Sequence, residues 1–300
     1  MANDSTKLVT DTFTLAARHG LYLAGTVTFN ETGLDFRVGF AKDTAGRRWV
    51  LRIPRRDDVQ PKIEREARIL DFVRHRLPVE VPDWQVRSPD LVAYPMLTDP
   101  MALVFDAETH AVTWNIDQDA ETYVTSLAEV LVALHASPVS EGVALGIPAS
   151  SPEEVRLKVH QDMERLKQEI GIGRDLEARY RHWLDNDKLW PDFSVLTHGD
   201  LYVGHVTTTA DARVSGVIDW TEAEISDPSI DFAGHLAAFS PRSLKRLVTA
   251  YEHAGGRTWP AMLEHIQERH AASPIKYGIF AVSTGNEQLL AAAKVQLGVG

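Results

Sequence analysis

Thr197-His198-Gly199-Asp200-Leu201-Tyr202-Val203-Gly204-His205, followed by Ile218-Asp219-Trp220, is the stretch on which the reading of this chain turns. A short apolar run ending at Thr197 delivers His-Gly-Asp into a loop, and Gly199 lets the backbone turn sharply there. Asp200 is then a carboxylate held by a rigid frame. His205 follows five residues on, and Asp219 stands fourteen residues after His205, at the end of another apolar run. Two carboxylates and a histidine around a β-hairpin can divide into a base for a hydroxyl and ligands for a divalent metal. Phosphoryl transfer needs that division. Taken singly, each of these residues reads more readily as a loop cap or turn former; the ordered set is what points to chemistry.

Working outward, the two halves of the chain differ in texture. Before this stretch, a helix is expected over about Thr10–His19. Strands are expected at Leu21–Phe29, Leu34–Ala41 and Arg48–Ile53, the last two joined by the polar turn Lys42-Asp43-Thr44-Ala45-Gly46. Pro61–Arg76 carries Ile63, Ala67, Leu70 and Val73 at helical spacing, with Pro in the first turn. Pro82–Trp84 and Leu91–Tyr94 suggest two more strands, and Asp99-Pro100 a turn. Helices are then expected over Ala120–His135, from the capping box Ser151-Pro152-Glu153-Glu154 to about Ile170, and from Gly173 through Trp183. Short strands are expected at Val195–Thr197, Val206–Thr209 and Val214–Ile218, and helices from Phe232 onward, interrupted at Pro241, Gly255-Gly256 and Pro274. The fold class is α+β and bilobal, with a small β-rich lobe over residues 1–96, a linker at about 93–100, and a mostly helical lobe over 97–300 carrying a central hairpin.

Composition narrows the classes. Of 300 residues, 44% are hydrophobic and 24% charged, ordinary globular usage. Thirty-one Lys and Arg against 42 Asp and Glu give a net charge of −11, which argues against a nucleic-acid partner. An acidic protein attracts cationic small molecules, so an anionic nucleotide would need a local cation or a metal to offset that field. With no Cys there is no disulfide and no thiolate metal site, which fits a reducing cytosol. Met1–Lys7 shows no basic segment leading into an apolar run, and no stretch reaches about 18 apolar residues. The expectation is a cytoplasmic protein with no membrane partner.

The motif His-Gly-Asp, a metal-ligand position five residues after the Asp, and Ile-Asp-Trp resembles the antibiotic phosphotransferases, relatives of the protein kinases, and the likeness spans nearly the whole chain. Within that family, Asn30–Phe36, Trp49–Arg56, Val92–Met96, Trp190–Ser194 and above all His198–His205 resemble the macrolide 2′-phosphotransferases. The resemblance implies that Asp200 is the catalytic aspartate meeting the substrate hydroxyl. It implies that His205 and Asp219 bind Mg²⁺; His205 stands where most of the wider family has Asn, and imidazole is a less usual ligand for this ion. Arg52 stands where the kinase pattern has Lys, and Glu66 is the helix carboxylate that pairs with it. Gly33, in the segment that closes over phosphates, and Tyr94 and Met96, in the lobe linker, complete the implied nucleotide site. The implied donor is GTP, with ATP as the alternative purine nucleoside triphosphate.

The implied acceptor is a macrolide antibiotic, phosphorylated on the 2′-hydroxyl of its desosamine sugar. Such a molecule needs a broad apolar groove with carboxylates near Asp200. Tyr202, Tyr277, Phe280 and Ala281 are the groove candidates, each also readable as core packing. Asp231 either faces the sugar's ammonium or braces the catalytic loop or helix. The rival readings are a kinase of another hydroxylated cation, such as an aminoglycoside, and a catalytically inactive kinase-like binding protein.

Overall fold

The short β-like runs near the N-terminus form one antiparallel sheet. In the computed structural model, which describes residues 2–31, 35–106, 109 and 111–299, α1 (Ala2–Arg18) precedes β1 (Leu23–Asn30), β2 (Phe36–Asp43) and β3 (Arg48–Pro54). Next come α2 (Gln60–Val73), β4 (Val86–Arg87) and β5 (Val92–Pro95), and the sheet order is β1-β2-β3-β5-β4. The polar turn between β2 and β3 is closed by Asp43, whose carboxylate accepts from the Ala45 and Arg47 amides at 2.9 Å each and from Trp49 Nε1 at 2.9 Å. Register places Arg52 opposite Val38 on one side and Val92 on the other. Leu51, Leu91 and Ala93 form the sheet's buried face with Ala16 of α1.

Two local expectations change here. Pro82–Trp84 is not a strand; Pro82 has no N–H to give a ladder, and the pairing starts at Val86. Residues 93–95, read as the start of a linker, are paired within β5. A hairpin of β6 (Leu103–Phe105) and β7 (Val112–Trp114) follows, and the sequence reading did not find it. Val104, Phe105 and Val112 are all exposed, so no buried-face alternation marks these strands.

The chain then enters a helical region: α3 (Glu121–His135), α4 (Val139–Ala144), α5 (Pro152–Glu169), α6 (Arg174–Asp185) and the short strand β8 (Val195–Thr197). The capping box at the start of α5 is formed: Ser151 Oγ accepts from the Glu154 amide, and Glu154 Oε2 accepts from the Ser151 amide at 2.7 Å. After one helical turn at Val203–His205 come β9 (Val206–Thr208) and β10 (Val214–Val217), an antiparallel hairpin. Last are β11 (Glu224–Ser226), paired with β8, and helices α7 (Ile230–Ala238), α8 (Pro241–His253), α9 (Met262–Ala271), α10 (Ser273–Thr284) and α11 (Glu287–Gln296).

The residues group into two compact units, one of residues up to 116 with 204–221, the other of 117–203 with 222–300. The β9–β10 hairpin thus groups with the sheet rather than with its helical neighbours in sequence. Backbone hydrogen bonds explain this: the Glu80 amide donates to Ser215 O, the Val217 amide to Glu80 O, and the Ala102 amide to Val206 O. The second unit packs around stacked Trp183 and Trp190, with Met163, Leu166 and Tyr180 fully buried beside them.

His235 of α7 makes stability depend on pH. Its ring stacks on Phe239, Nε2 meets Ser243 Oγ at 2.9 Å, and Nδ1 has no partner among the described residues. Burial first, then the nearby Arg246 charge, pushes its pKa down to about 4. The unfolded group titrates near 6.5, so between about pH 6.5 and 4 the unfolded state binds the proton and the folded state does not. The stability His235 contributes is therefore present above about pH 6.5 and lost as pH falls to about 4, by roughly 3 kcal/mol. Urea unfolding from pH 7 to 4 should show this loss, and His235→Gln should make the slope shallower. Equal slopes in the two proteins would contradict it.

Candidate functional site

In the second unit, β8 carries the chain into His198-Gly199-Asp200. Gly199 has φ 79°, and a Cβ there would lie 2.3 Å from Glu222 O, so position and conformation both require glycine. The His198 and Gly199 amides donate to the two oxygens of Asp231, each at 2.9 Å. Asp231 Oδ2 also accepts from His135 Nε2 at 3.2 Å, which leaves His135 Nδ1 to accept from the Tyr251 hydroxyl at 3.0 Å. Burial, and then Asp231, pushes the Tyr251 phenol above its ordinary value and keeps it a donor. One turn along α7, Gly234 lets the helix approach the same loop; a Cβ there would meet Leu201 O at 2.1 Å.

Of the two roles the sequence leaves open for Asp231, its contacts are those of the brace. It is 1% exposed, and both oxygens are occupied by the loop's own backbone, so it braces the loop and does not face a ligand. Asp200 is exposed at the mouth of a cavity of about 590 Å³. Leu201, Ile230, Ala233, Ile275, Tyr277 and Phe280 give this cavity its apolar walls, so the structure places the groove candidates Tyr277 and Phe280 beside Asp200. The groove candidate Ala281 is not in this wall; it is fully buried in α10 and packs in the core. Tyr202 is 39% exposed and is not part of the wall either. Another cavity, of about 740 Å³ along α3 and α8, contains none of the expected site residues.

The charged groups of the cavity wall are few. Asp162 and Asp200 are its carboxylates, and Arg269 and Lys276 stand among them. Arg269 is fixed from behind: Nε donates to Ser229 Oγ at 2.5 Å and Nη2 to the buried Asp227. Burial opposes the Asp227 charge, but Arg269 and His265 outweigh it and hold the carboxyl well below the usual range. Trp183 Nε1 donates to His265 Nδ1 at 3.0 Å, so His265 carries its proton on Nε2 and donates it to Asp227 at 2.6 Å. The sequence reading missed Asp227, His265 and Arg269 because no local pattern links residues 38 and 42 positions apart.

In the first unit, Arg52 Nη1 donates to Glu66 Oε1 at 2.6 Å, both side chains buried, and the guanidinium lies over the Phe36 ring at 4.2 Å. Burial opposes the Arg52 charge, but Glu66, Tyr94 and Asp219 outweigh it and raise its pKa. Thr221 Oγ1 accepts from Arg52 Nη2 at 3.2 Å and lies 2.9 Å from Glu66 Oε2 and 3.0 Å from Asp219 Oδ1. Asp219 sits at φ 63°, the left-handed region that disfavours a side chain. The Ile218 amide donates to His205 O at 3.0 Å, which closes the hairpin base, and His205 Nε2 lies 3.6 Å from Asp219 Oδ2. Among the described residues, no three His, Asp or Glu side chains gather as a metal-ligand set. Tyr94 is buried on β5 opposite Val50, and Met96 Sδ accepts from Arg48 Nη2 at 2.7 Å. Gly33 lies outside the described residues.

Known proteins carry the same plan. The phosphotransferase enzyme family matches residues 26–265. This chain belongs to that family. It is 49% identical to a solved macrolide 2′-phosphotransferase type I, with a TM-score of 0.91 and 96% of each chain covered. The crystal structure of macrolide 2′-phosphotransferase MphH from Brachybacterium faecium, an apoenzyme, is 39% identical, with a TM-score of 0.89 over 96% of this chain and 97% of that one. The uncharacterized protein YcbJ of Bacillus subtilis (strain 168) is 38% identical over 98% of this chain and 97% of its own. The family member described here is thus a phosphotransferase with the kinase-like α+β fold expected from its sequence. No helix among the described residues is long and apolar enough to cross a membrane.

Asp231→Asn should separate bracing from binding. The amide offers one acceptor oxygen and turns an N–H toward a backbone N–H, leaving a buried donor unmet. We expect about 2–4 kcal/mol lower stability by urea unfolding. We also expect a drop in kcat of more than tenfold with acceptor KM nearly unchanged. A raised acceptor KM with intact kcat and stability would return Asp231 to the ligand side.

Proposed function

We propose that this phosphotransferase moves the γ-phosphoryl group of GTP, or of ATP, to the 2′-hydroxyl of the desosamine sugar of macrolides, and so inactivates these antibiotics in the cytoplasm. The observation that carries the reading is the apolar cavity beside Asp200. A macrolide is a large ring with one ammonium, and it binds by burying apolar surface at roughly 25 cal/mol per Å². Walls of Ile230, Ala233, Ile275 and Phe280 suit that ring. Arg269 and Lys276 in the same wall oppose a polycationic aminoglycoside, which needs a dense set of carboxylates. The likeness to macrolide 2′-phosphotransferases at 49% and 39% identity supports the same acceptor.

The roles follow from the chemistry. Asp200 orients the hydroxyl and accepts its proton as the oxygen–phosphorus bond forms and the bond to the diphosphate breaks. Arg52, fixed by Glu66, gives the donor's phosphates a guanidinium. His205 and Asp219 offer one imidazole and one carboxylate, a small set that fits a hard cation completing its shell with phosphate oxygens and water. Mg²⁺ held there would neutralise charge on the phosphates. We assign donor binding, with the main-chain groups around Tyr94 and Met96 toward the base, to residues 1–96, and the acceptor to residues 97–300. An acidic chain of −11 suits these small-molecule partners better than nucleic acid.

Mass measurement after incubating the protein with Mg²⁺, GTP or ATP, and either erythromycin-like or kanamycin-like compounds tests the reading. A single added phosphate on the macrolide 2′ position, across rings of different size bearing the same aminosugar, is expected. Phosphate on kanamycin alone would replace it with the aminoglycoside reading. Asp200→Asn should abolish transfer while leaving nucleotide binding largely intact; retention of most turnover would remove Asp200 from its role.

A further inference from the structure

Thr221 stands at a junction that the roles above leave unused. Its hydroxyl has one proton and two lone pairs. Arg52 Nη2 occupies one lone pair at 3.2 Å. The single proton faces two carboxylates at nearly equal distance, Glu66 Oε2 at 2.9 Å and Asp219 Oδ1 at 3.0 Å, and can be donated to only one at a time. The residue is otherwise held still: Thr221 O accepts from Arg65 Nη2 of α2 at 2.5 Å. Arg52, Arg65 and Glu66 all engage this one residue, so β3 and α2 converge on the end of the segment that presents Asp219.

We infer that Thr221 is a positioning residue that couples the cation site to the phosphate-binding guanidinium through the choice its proton makes. With Asp219 free of a cation, the two carboxylates compete for the proton. A cation drawn to Asp219 lowers that oxygen's value as an acceptor, and the proton passes to Glu66. Glu66 then holds Arg52 with Oε1 and Thr221 with Oε2, and Arg52 is fixed at both ends. The cation thus prepares the guanidinium for phosphate without touching it, and linkage requires that nucleotide raise cation affinity by the same factor. The inference rests on the donor-site reading above and does not involve the acceptor.

The test is nucleotide affinity measured by calorimetry with and without Mg²⁺ for wild type, Thr221→Val and Thr221→Ser, alongside thermal unfolding of each. Valine keeps the shape and removes the proton; serine keeps the proton. We expect the factor by which Mg²⁺ strengthens nucleotide binding to fall about tenfold or more in Thr221→Val and to return in Thr221→Ser, in line with one hydrogen bond to a charged group. In turnover, KM for nucleotide should rise with acceptor KM unchanged. A purely structural role predicts lower thermal stability with the Mg²⁺ effect intact, and that result in a folded Thr221→Val overturns the coupling. If Thr221→Val does not fold, loss of the Mg²⁺ effect in Thr221→Ser despite its proton overturns it equally. Absence of Mg²⁺-dependent nucleotide binding in wild type would remove the donor-site reading and this inference with it, whereas failure of macrolide phosphorylation would leave both standing.

Discussion

The Asp231 carboxylate accepting the amides of His198 and Gly199 is the constraint on which the site depends. A loop that must present Asp200 to solvent cannot be fixed by burying Asp200 itself. The structure fixes the two residues before it instead, through backbone N–H groups that no substitution at 198 or 199 other than proline would remove. Charge-assisted hydrogen bonds of this kind are short and directional. Because Asp231 and Gly234 lie one turn apart on α7, the same rigid helix sets the loop's height and its approach. His135 and Tyr251 complete the arrangement by fixing Asp231 from α3 and α8.

The first unit solves a similar problem with a different device. Arg52 and Glu66 are both buried, and a buried ion pair adds little net stability because desolvation offsets attraction. What it supplies is a direction. The guanidinium is held by Glu66 at one nitrogen, rests on the Phe36 ring, and meets Thr221 at another nitrogen. An Arg at this position is wider than Lys and needs such support to aim its fork; Thr221 and the aromatic ring provide it.

The sequence made legible the elements with long periodic patterns and marked the proposed site residues through local motifs. The sheet, α2, α3, the capped start of α5, and Asp200, His205 and Asp219 all belong to that class, since each is marked by its own neighbours. Arg52 and Glu66 were found through resemblance rather than spacing, and the structure pairs them. What was not legible depends on contacts between distant positions. Asp231 could not be told apart as ligand or brace, because the answer lies in backbone amides 32 and 33 residues earlier. Ala281 and Tyr277 share a helix, and only packing decides which faces the core. The β6–β7 hairpin lacks a buried face, and β11 is three residues long, so neither gives a period to read.

Charge is unevenly distributed along this acidic chain. The whole carries −11, yet residues 30–62 hold eight Lys and Arg against five Asp and Glu. The remainder therefore stands at −14. Within the positive stretch, Glu31 is shared by Arg37 and Arg55, and Asp35 by Arg56 and Lys62. Each of these carboxylates holds two cationic side chains in place, and Asp58 pairs with Arg56 as well. Such a stretch attracts phosphate over short range, where its charges are closer than a Debye length. The more acidic remainder attracts small cations instead. The two charge balances are separate along the sequence, so a change in one need not alter the other.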